Sequence, residues 1–218
     1  MITAPQKSFN KFINALDEYF KQNWKQLTCA DIYNFYNEVF KKLKEVKGNS
    51  HGFTGRSELF IWEIIWHQLG GEFDSIPLKK NGLLQFQSKN DAKICIGQSI
   101  GVSVKGHRRY PDISIYYLGK LIGVISIKLY LTNGMETLRE EELRFKEFRE
   151  EYPDNDIRTL LIIYSGVPEK GTIRPELEKF KEENEWFNYL VLEEISLIFW
   201  KELGISLGLE RIAKRKEI

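Results

Sequence analysis

Apolar residues recur at helical intervals from Lys7 to Lys47, first at Phe9, Ile13, Leu16 and Phe20, then at Ile32, Phe35, Tyr36, Val39, Phe40 and Leu43. The pattern breaks between Leu27 and Asp31, which predicts a helical hairpin. A polar stretch with three glycines, GNSHGFTG, leads into RSELFIWEIIWHQLGG, where Ser57 can cap a third helix and Gly70 and Gly71 can end it. This helix is apolar on most sides and is expected to be buried. Residues 83–104 alternate loosely and hold β-formers, enough for one or two strands, and RRYPDISIYYLGKLIGVISIK, from Arg108 to Lys128, reads as a β-hairpin. A helix rich in Glu, Arg and Leu is predicted from about Gly134 to Tyr152. DIRTLLIIYSG is then a continuous apolar run of the kind a central, doubly covered strand carries. A helix following Pro175, a short strand at NYLVL and a last helix from Glu193 to about Leu203 complete the order. That order predicts an α/β fold, a mixed sheet with helices on both faces.

With 218 residues, of which 42% are hydrophobic, the chain can build one large domain with a substantial core, residues 1–50 forming a helical appendage to it. The 32 basic and 31 acidic residues nearly cancel, so a site for a polyanion has to be local. Two basic clusters stand out. Lys105, His107, Arg108 and Arg109 precede the hairpin; Arg211, Lys214, Arg215 and Lys216, near the end, read as a solvated face. Cys29 and Cys95 are isolated from each other and from paired histidines, which argues against a structural zinc or a disulfide framework. No apolar signal core or membrane-length run is present, so a cytoplasmic protein is expected.

The hairpin carries an acid directly after a proline, Asp112, and a base at its far end, Lys128. Side chains alternate along a strand, so Ser126 and Lys128 share one face while Ile125 and Ile127 share the other. Whether Asp112 joins them depends on the turn. A two-residue loop at Gly119 and Lys120 pairs Asp112 with Ile127; a three-residue loop, Leu118 to Lys120, pairs it with Ser126. The second register, or a bulge that achieves it, is the expectation.

Pro-Asp, a hairpin, then acid-x-Lys at the end of the next strand is the signature of the PD-(D/E)XK superfamily of restriction-endonuclease-like nucleases, which this chain resembles from about Ser57 to Leu203. The resemblance implies a restriction-endonuclease-like core of helix, three strands, helix and strand. Ser126 stands where the family usually has Asp or Glu, and a neutral hydroxyl supplies no charge to hold a divalent cation. One branch of restriction enzymes is similar in carrying Ser-x-Lys, with the missing carboxylate on the following helix after thirteen intervening residues. That spacing from Lys128 selects Glu142. On a helix whose buried stripe is Met135, Leu138, Phe145, Phe148 and Tyr152, Glu142 falls at one margin and Glu141 toward the other side, while Glu140 points away. Facing excludes Glu140 and leaves Glu141 as the alternative to Glu142.

Such nucleases commonly place a further Glu on the helix before the sheet, for which Glu58 is the first candidate and Glu63 the second. The resemblance then implies a Mg²⁺-dependent DNA endonuclease, with Mn²⁺ able to substitute. Asp112, Glu142 and the Ile127 carbonyl would hold the metal, Lys128 would orient water or pair with phosphate, and Ser126 would support a carboxylate. Lys105, His107, Arg108 and Arg109 would contact phosphates of double-stranded DNA. A type II restriction enzyme is the leading expectation, acting as a homodimer or a tetramer. A junction-resolvase-like nuclease, or a nuclease fold that binds DNA without cutting it, are the rivals; Ser126 favours the last of these.

Overall fold

The computed structural model describes residues 22–47, 78–80, 83–87, 92–96, 101–102, 108–109, 111–131, 134–168 and 170–209, with single positions before residue 22 and between 61 and 68. Helix α1, Cys29–Lys47, begins where Thr28 and Asp31 form a reciprocal cap. The Asp31 backbone N–H donates to Thr28 Oγ1 at 3.1 Å, and the Thr28 N–H donates to Asp31 Oδ2 at 2.9 Å. The helix's unpaired N–H groups at Cys29 and Ala30 donate to the carbonyls of Leu197 and Ile195. The described positions before Trp24 are helical, and Tyr19 meets Phe35 edge-on at 5.2 Å, but most of the predicted hairpin's first arm lies outside the described residues. Of the predicted third helix, Ile61, Ile64 and Ile65 are helical and fully buried.

Among the described residues nine strands follow, in two sheets. Strands β1 (Leu78–Lys80), β2 (Leu83–Gln87), β3 (Ala92–Ile96), β6 (Ile113–Tyr117), β7 (Lys120–Tyr130), β8 (Arg158–Ser165) and β9 (Phe187–Val191) form one sheet in the order β1-β2-β3-β6-β7-β8-β9. It is antiparallel up to β7 and parallel from β7 to β9, hence mixed. β4 (Gly101–Val102) and β5 (Arg108–Arg109) pair separately. Helix α2, Met135–Glu151, crosses from β7 to β8; α3, Ile173–Glu183, crosses from β8 to β9; α4, Phe199–Leu207, closes the described chain. Pro175 sits in the first turn of α3, where its missing N–H costs no hydrogen bond.

Strand β8 shows why the run from Leu160 to Tyr164 is apolar. Leu160, Ile162 and Tyr164 face a core with Ile32, Ile61, Ile64 and Phe199; Leu161 and Ile163 face a second core with Leu138, Phe145, Phe148 and Leu177. The sheet is therefore covered on both faces, by α1 and α4 on one and by α2 and α3 on the other. No helix among the described residues is long and apolar enough to cross a membrane.

Two predicted details differ. The last helix starts at Phe199, not Glu193: Leu192–Glu194 form a 3₁₀ turn, and the segment from Ile195 to Ile198 stays out of the helix, with the Ile195 and Leu197 carbonyls satisfying the start of α1. The hairpin turns on two residues, Leu118 and Gly119, with φ of 49° and 77°, the left-handed pair that a twisted hairpin favours. Ile122 is then extra: Tyr116 pairs with Leu121 but Ile115 with Gly123. At Gly123 a Cβ would approach Ile115 Cδ1 to 3.2 Å, so glycine fits the close passage there. The bulge returns the ladder to Ile113 opposite Ile125, and one step further sets Asp112 opposite Ser126, the expected register.

Candidate active site

β6 starts at Ile113 while β7 runs on to Tyr130, so past Ser126 the β6-side edge of β7 has no strand partner among the described residues. Asp112 fills that gap. Its Oδ2 accepts the Ile127 N–H at 2.5 Å and the Ser126 hydroxyl at 3.4 Å. In an extended strand a residue's N–H and C=O point to the same side, so the Ile127 carbonyl lies along this edge as well. The carboxyl is nonetheless held above its ordinary pKa. Burial is the main cause; the Ile127 N–H and Lys128 pull the other way, Glu141 adds to the rise and Arg144 opposes it.

Ser126 and Lys128 share the face that α2 covers, as strand alternation predicts. Lys128 Nζ lies 2.7 Å from Glu141 Oε1. Arg144 NH1 donates to the same oxygen at 2.8 Å from one helical turn onward. The Glu141 side chain is only 2% exposed, and its second oxygen, Oε2, is buried with no hydrogen-bond partner. Two cations therefore crowd one oxygen of a buried carboxylate while the other oxygen has none.

The acid that meets Lys128 is Glu141, the alternative to the Glu142 that spacing selects. Glu142 sits on the opposite flank of α2, where its carboxyl is pushed up by burial and by Glu176 of α3, with Lys146 and Arg139 countering and Glu183 adding. That flank looks toward α3. Asp112 lies on the other side of β7, toward β6. A signal for this is in the sequence: a parallel β-α-β crossover is right-handed. With the buried stripe of α2 against the sheet, that hand turns Glu142 toward β8 and leaves Glu141 and Arg144 toward β6. Arg144 was not among the residues expected at the site; its position three residues after Glu141 on the β6 flank is the feature that marks it.

Glu58, Glu63, Lys105 and His107 lie outside the described residues. Arg108 and Arg109 form β5, paired with Val102 and Gly101, and their side chains are also outside the description. Among the described residues no group of three or more His, Cys, Asp or Glu side chains gathers as a metal cluster. The carboxylates of Asp112 and Glu141 are close enough for Asp112 to feel the Glu141 charge, and the Ile127 carbonyl lies along the same edge of β7 that Asp112 caps. Such a set suits a hard cation that keeps much of its water and takes only one or two protein carboxylates, as Mg²⁺ does. The partnerless Glu141 Oε2 gives that fit its structural basis. No protein-family model, curated protein or solved structure matches this chain.

Proposed function

We propose that this chain is a Mg²⁺-dependent endodeoxyribonuclease with a PD-(D/E)XK-like core, in its specific form a type II restriction enzyme acting on double-stranded DNA as a homodimer. The observation that carries the reading is the meeting of Asp112, Lys128 and Glu141 at the corner where β6 ends and β7 continues. The run of three antiparallel strands β3, β6 and β7, then α2, then the parallel strand β8, supports it, because it follows the element order that the resemblance implies.

In this reading Asp112, Glu141 and the Ile127 carbonyl hold the cation, with Mn²⁺ able to replace Mg²⁺. The bound cation supplies charge for the scissile phosphate and lowers the pKa of a coordinated water. The chain's own groups divide the remaining work. Ser126 and the Ile127 N–H orient Asp112. Glu141 holds Lys128 at the site, and the Lys128 ammonium offers its other hydrogens to a phosphate oxygen or to water. Glu142 has no part.

One observation favours a second reading, a DNA-binding module without catalysis: the Glu141 charge is already offset by Lys128 and Arg144, and Ser126 brings no acid to the strand. Incubation with plasmid and with branched duplexes, in Mg²⁺, Mn²⁺ or EDTA, separates the possibilities. Discrete metal-dependent fragments from plasmid are the expected result. Cleavage confined to branches would make the protein a resolvase-like nuclease, and binding without any metal-dependent cut would leave the binding module.

A further inference from the structure

We infer that Arg144 is a second phosphodiester-binding side chain of this site, gripping the substrate's backbone beside Lys128. The inference builds on the nuclease reading and assigns a role to a residue that reading does not use. The α2 backbone places Arg144 one turn beyond Glu141, on the flank toward Asp112, whose carboxyl feels its charge. One guanidinium nitrogen is engaged by Glu141, and the side chain is 38% exposed. A guanidinium carries five N–H donors in a rigid fork, and one bond to Glu141 leaves most of them to aim outward. A buried anchor at one edge of the fork fixes its orientation, while the exposed edge is shaped for two oxygens of one phosphate. Glu141 is thus poorly explained as Arg144's only target: Lys128 already neutralises the same oxygen at 2.7 Å. A second cation there adds little to Glu141 itself but brings positive charge to the rim of the site.

The rival account is that Arg144 only steadies Glu141. A double-mutant comparison separates them. Duplex binding is measured by fluorescence anisotropy across a salt series, with Ca²⁺ as the cation, for wild type, Arg144→Gln, Arg144→Lys, Glu141→Gln, and Arg144→Gln combined with Glu141→Gln. Thermal melts accompany each variant. If Arg144 contacts phosphate, Arg144→Gln weakens binding about tenfold for every sequence tested and lowers the salt slope by about 0.9, and a loss of affinity and slope persists when Glu141 is already Gln, whose amide oxygen can still accept from the fork. Arg144→Lys keeps the slope but loses part of the affinity, since a point charge replaces a fork. An unchanged slope in Arg144→Gln, or an effect that disappears in the Glu141→Gln background, overturns the assignment and leaves Arg144 a support for Glu141. If wild type binds no duplex at all, the nuclease reading fails and the inference with it, an outcome distinct from wild type binding with an unaltered slope.

Discussion

Glu141 and Glu142 are neighbours on one helix, yet they belong to different parts of the molecule. On the flank toward β6, Glu141 is buried, carries two cations on one oxygen and stands near Asp112. Toward α3, Glu142 is half-buried among Glu176, Glu183, Lys146 and Arg139, and one of its oxygens has no hydrogen-bond partner. A rotation of about 100° about the helix axis separates a carboxylate paired with two cations from one whose charge is opposed by burial and by acidic neighbours. Spacing along the chain cannot make that distinction. The position of β6 on one side of β7 and of α3 on the other makes it.

The largest test of the contrast is chemical. Glu141→Gln is expected to lower Mg²⁺-dependent plasmid cleavage by more than the roughly 100-fold that loss of a residue merely supporting a metal ligand can cost. Glu142→Gln should leave the single-turnover rate within about threefold, under 1 kcal/mol of barrier. Rates measured under identical Mg²⁺ decide it, and the reverse ranking would return the acid to Glu142.

Lys128 probes the same flank through stability. Lys128→Met leaves the buried Glu141 with Arg144 alone, and should cost about 2 kcal/mol, because an unbalanced buried charge is expensive even when a partly exposed neighbour remains. Adding Glu141→Leu should recover most of that loss while abolishing cleavage, since a packed apolar pair often matches a buried ion pair. Urea melts with unchanged m-values are the measurement. A double variant less stable than Lys128→Met would contradict the burial argument.

Cation linkage gives a smaller effect with a definite sign. Burial raises the Asp112 pKa in the folded state, so the folded protein binds its proton more readily than the unfolded chain does. Ionised Asp112 therefore costs stability at neutral pH without metal, and that cost disappears as pH falls through the raised pKa. Asp112→Asn should melt higher than wild type in EDTA at pH 7, with the Asn carbonyl still able to accept the Ile127 N–H. Mg²⁺ should reverse the ranking: at ten times its Kd it adds about 1.4 kcal/mol to wild type and nothing to Asp112→Asn. The gain should shrink as pH drops, because proton and cation compete for one carboxylate. Equal Mg²⁺ stabilisation of both proteins would remove Asp112 from the cation's ligands.

Much of the architecture is legible in the pattern of apolar residues. The stripe of α2 and the unbroken run of β8 each report one or two buried faces directly, and both elements form where periodicity puts them. Legibility fails where tertiary contacts override local preference. Ile195 to Ile198 read as helix, but the carbonyls of Ile195 and Leu197 are taken by the start of α1, more than 160 residues earlier in the chain. The hairpin register was foreseeable only as a choice, because a turn at Leu118 and Gly119 and a bulge at Ile122 combine to give it. Asp112, Ser126 and Lys128 could be read from alternation along two strands, whereas choosing Glu141 needed the hand of a crossover.

The smallest effect tests the quiet flank. Burial and the nearby Glu176 raise the pKa of Glu142, with Lys146 and Arg139 opposing and Glu183 adding. Its ionised form thus weighs slightly against folding at neutral pH. Replacing it with Gln removes that repulsion and gives the partnerless oxygen position an amide in its place, so Glu142→Gln should stabilise the fold by up to about 0.5 kcal/mol, the range of partly exposed substitutions. The gain should be present above the raised folded-state pKa and fade between it and the lower unfolded-state value, since below both the carboxyl is protonated in either state. Glu141→Gln should move stability the other way, because it strips Lys128 and Arg144 of their shared charge. Melts of the two variants between about pH 4 and about pH 8 give the comparison. Opposite signs for one substitution at adjacent residues would assign the flanks their separate roles. Matching losses in stability and cleavage at Glu142 would mean that the α3 flank, too, serves the site.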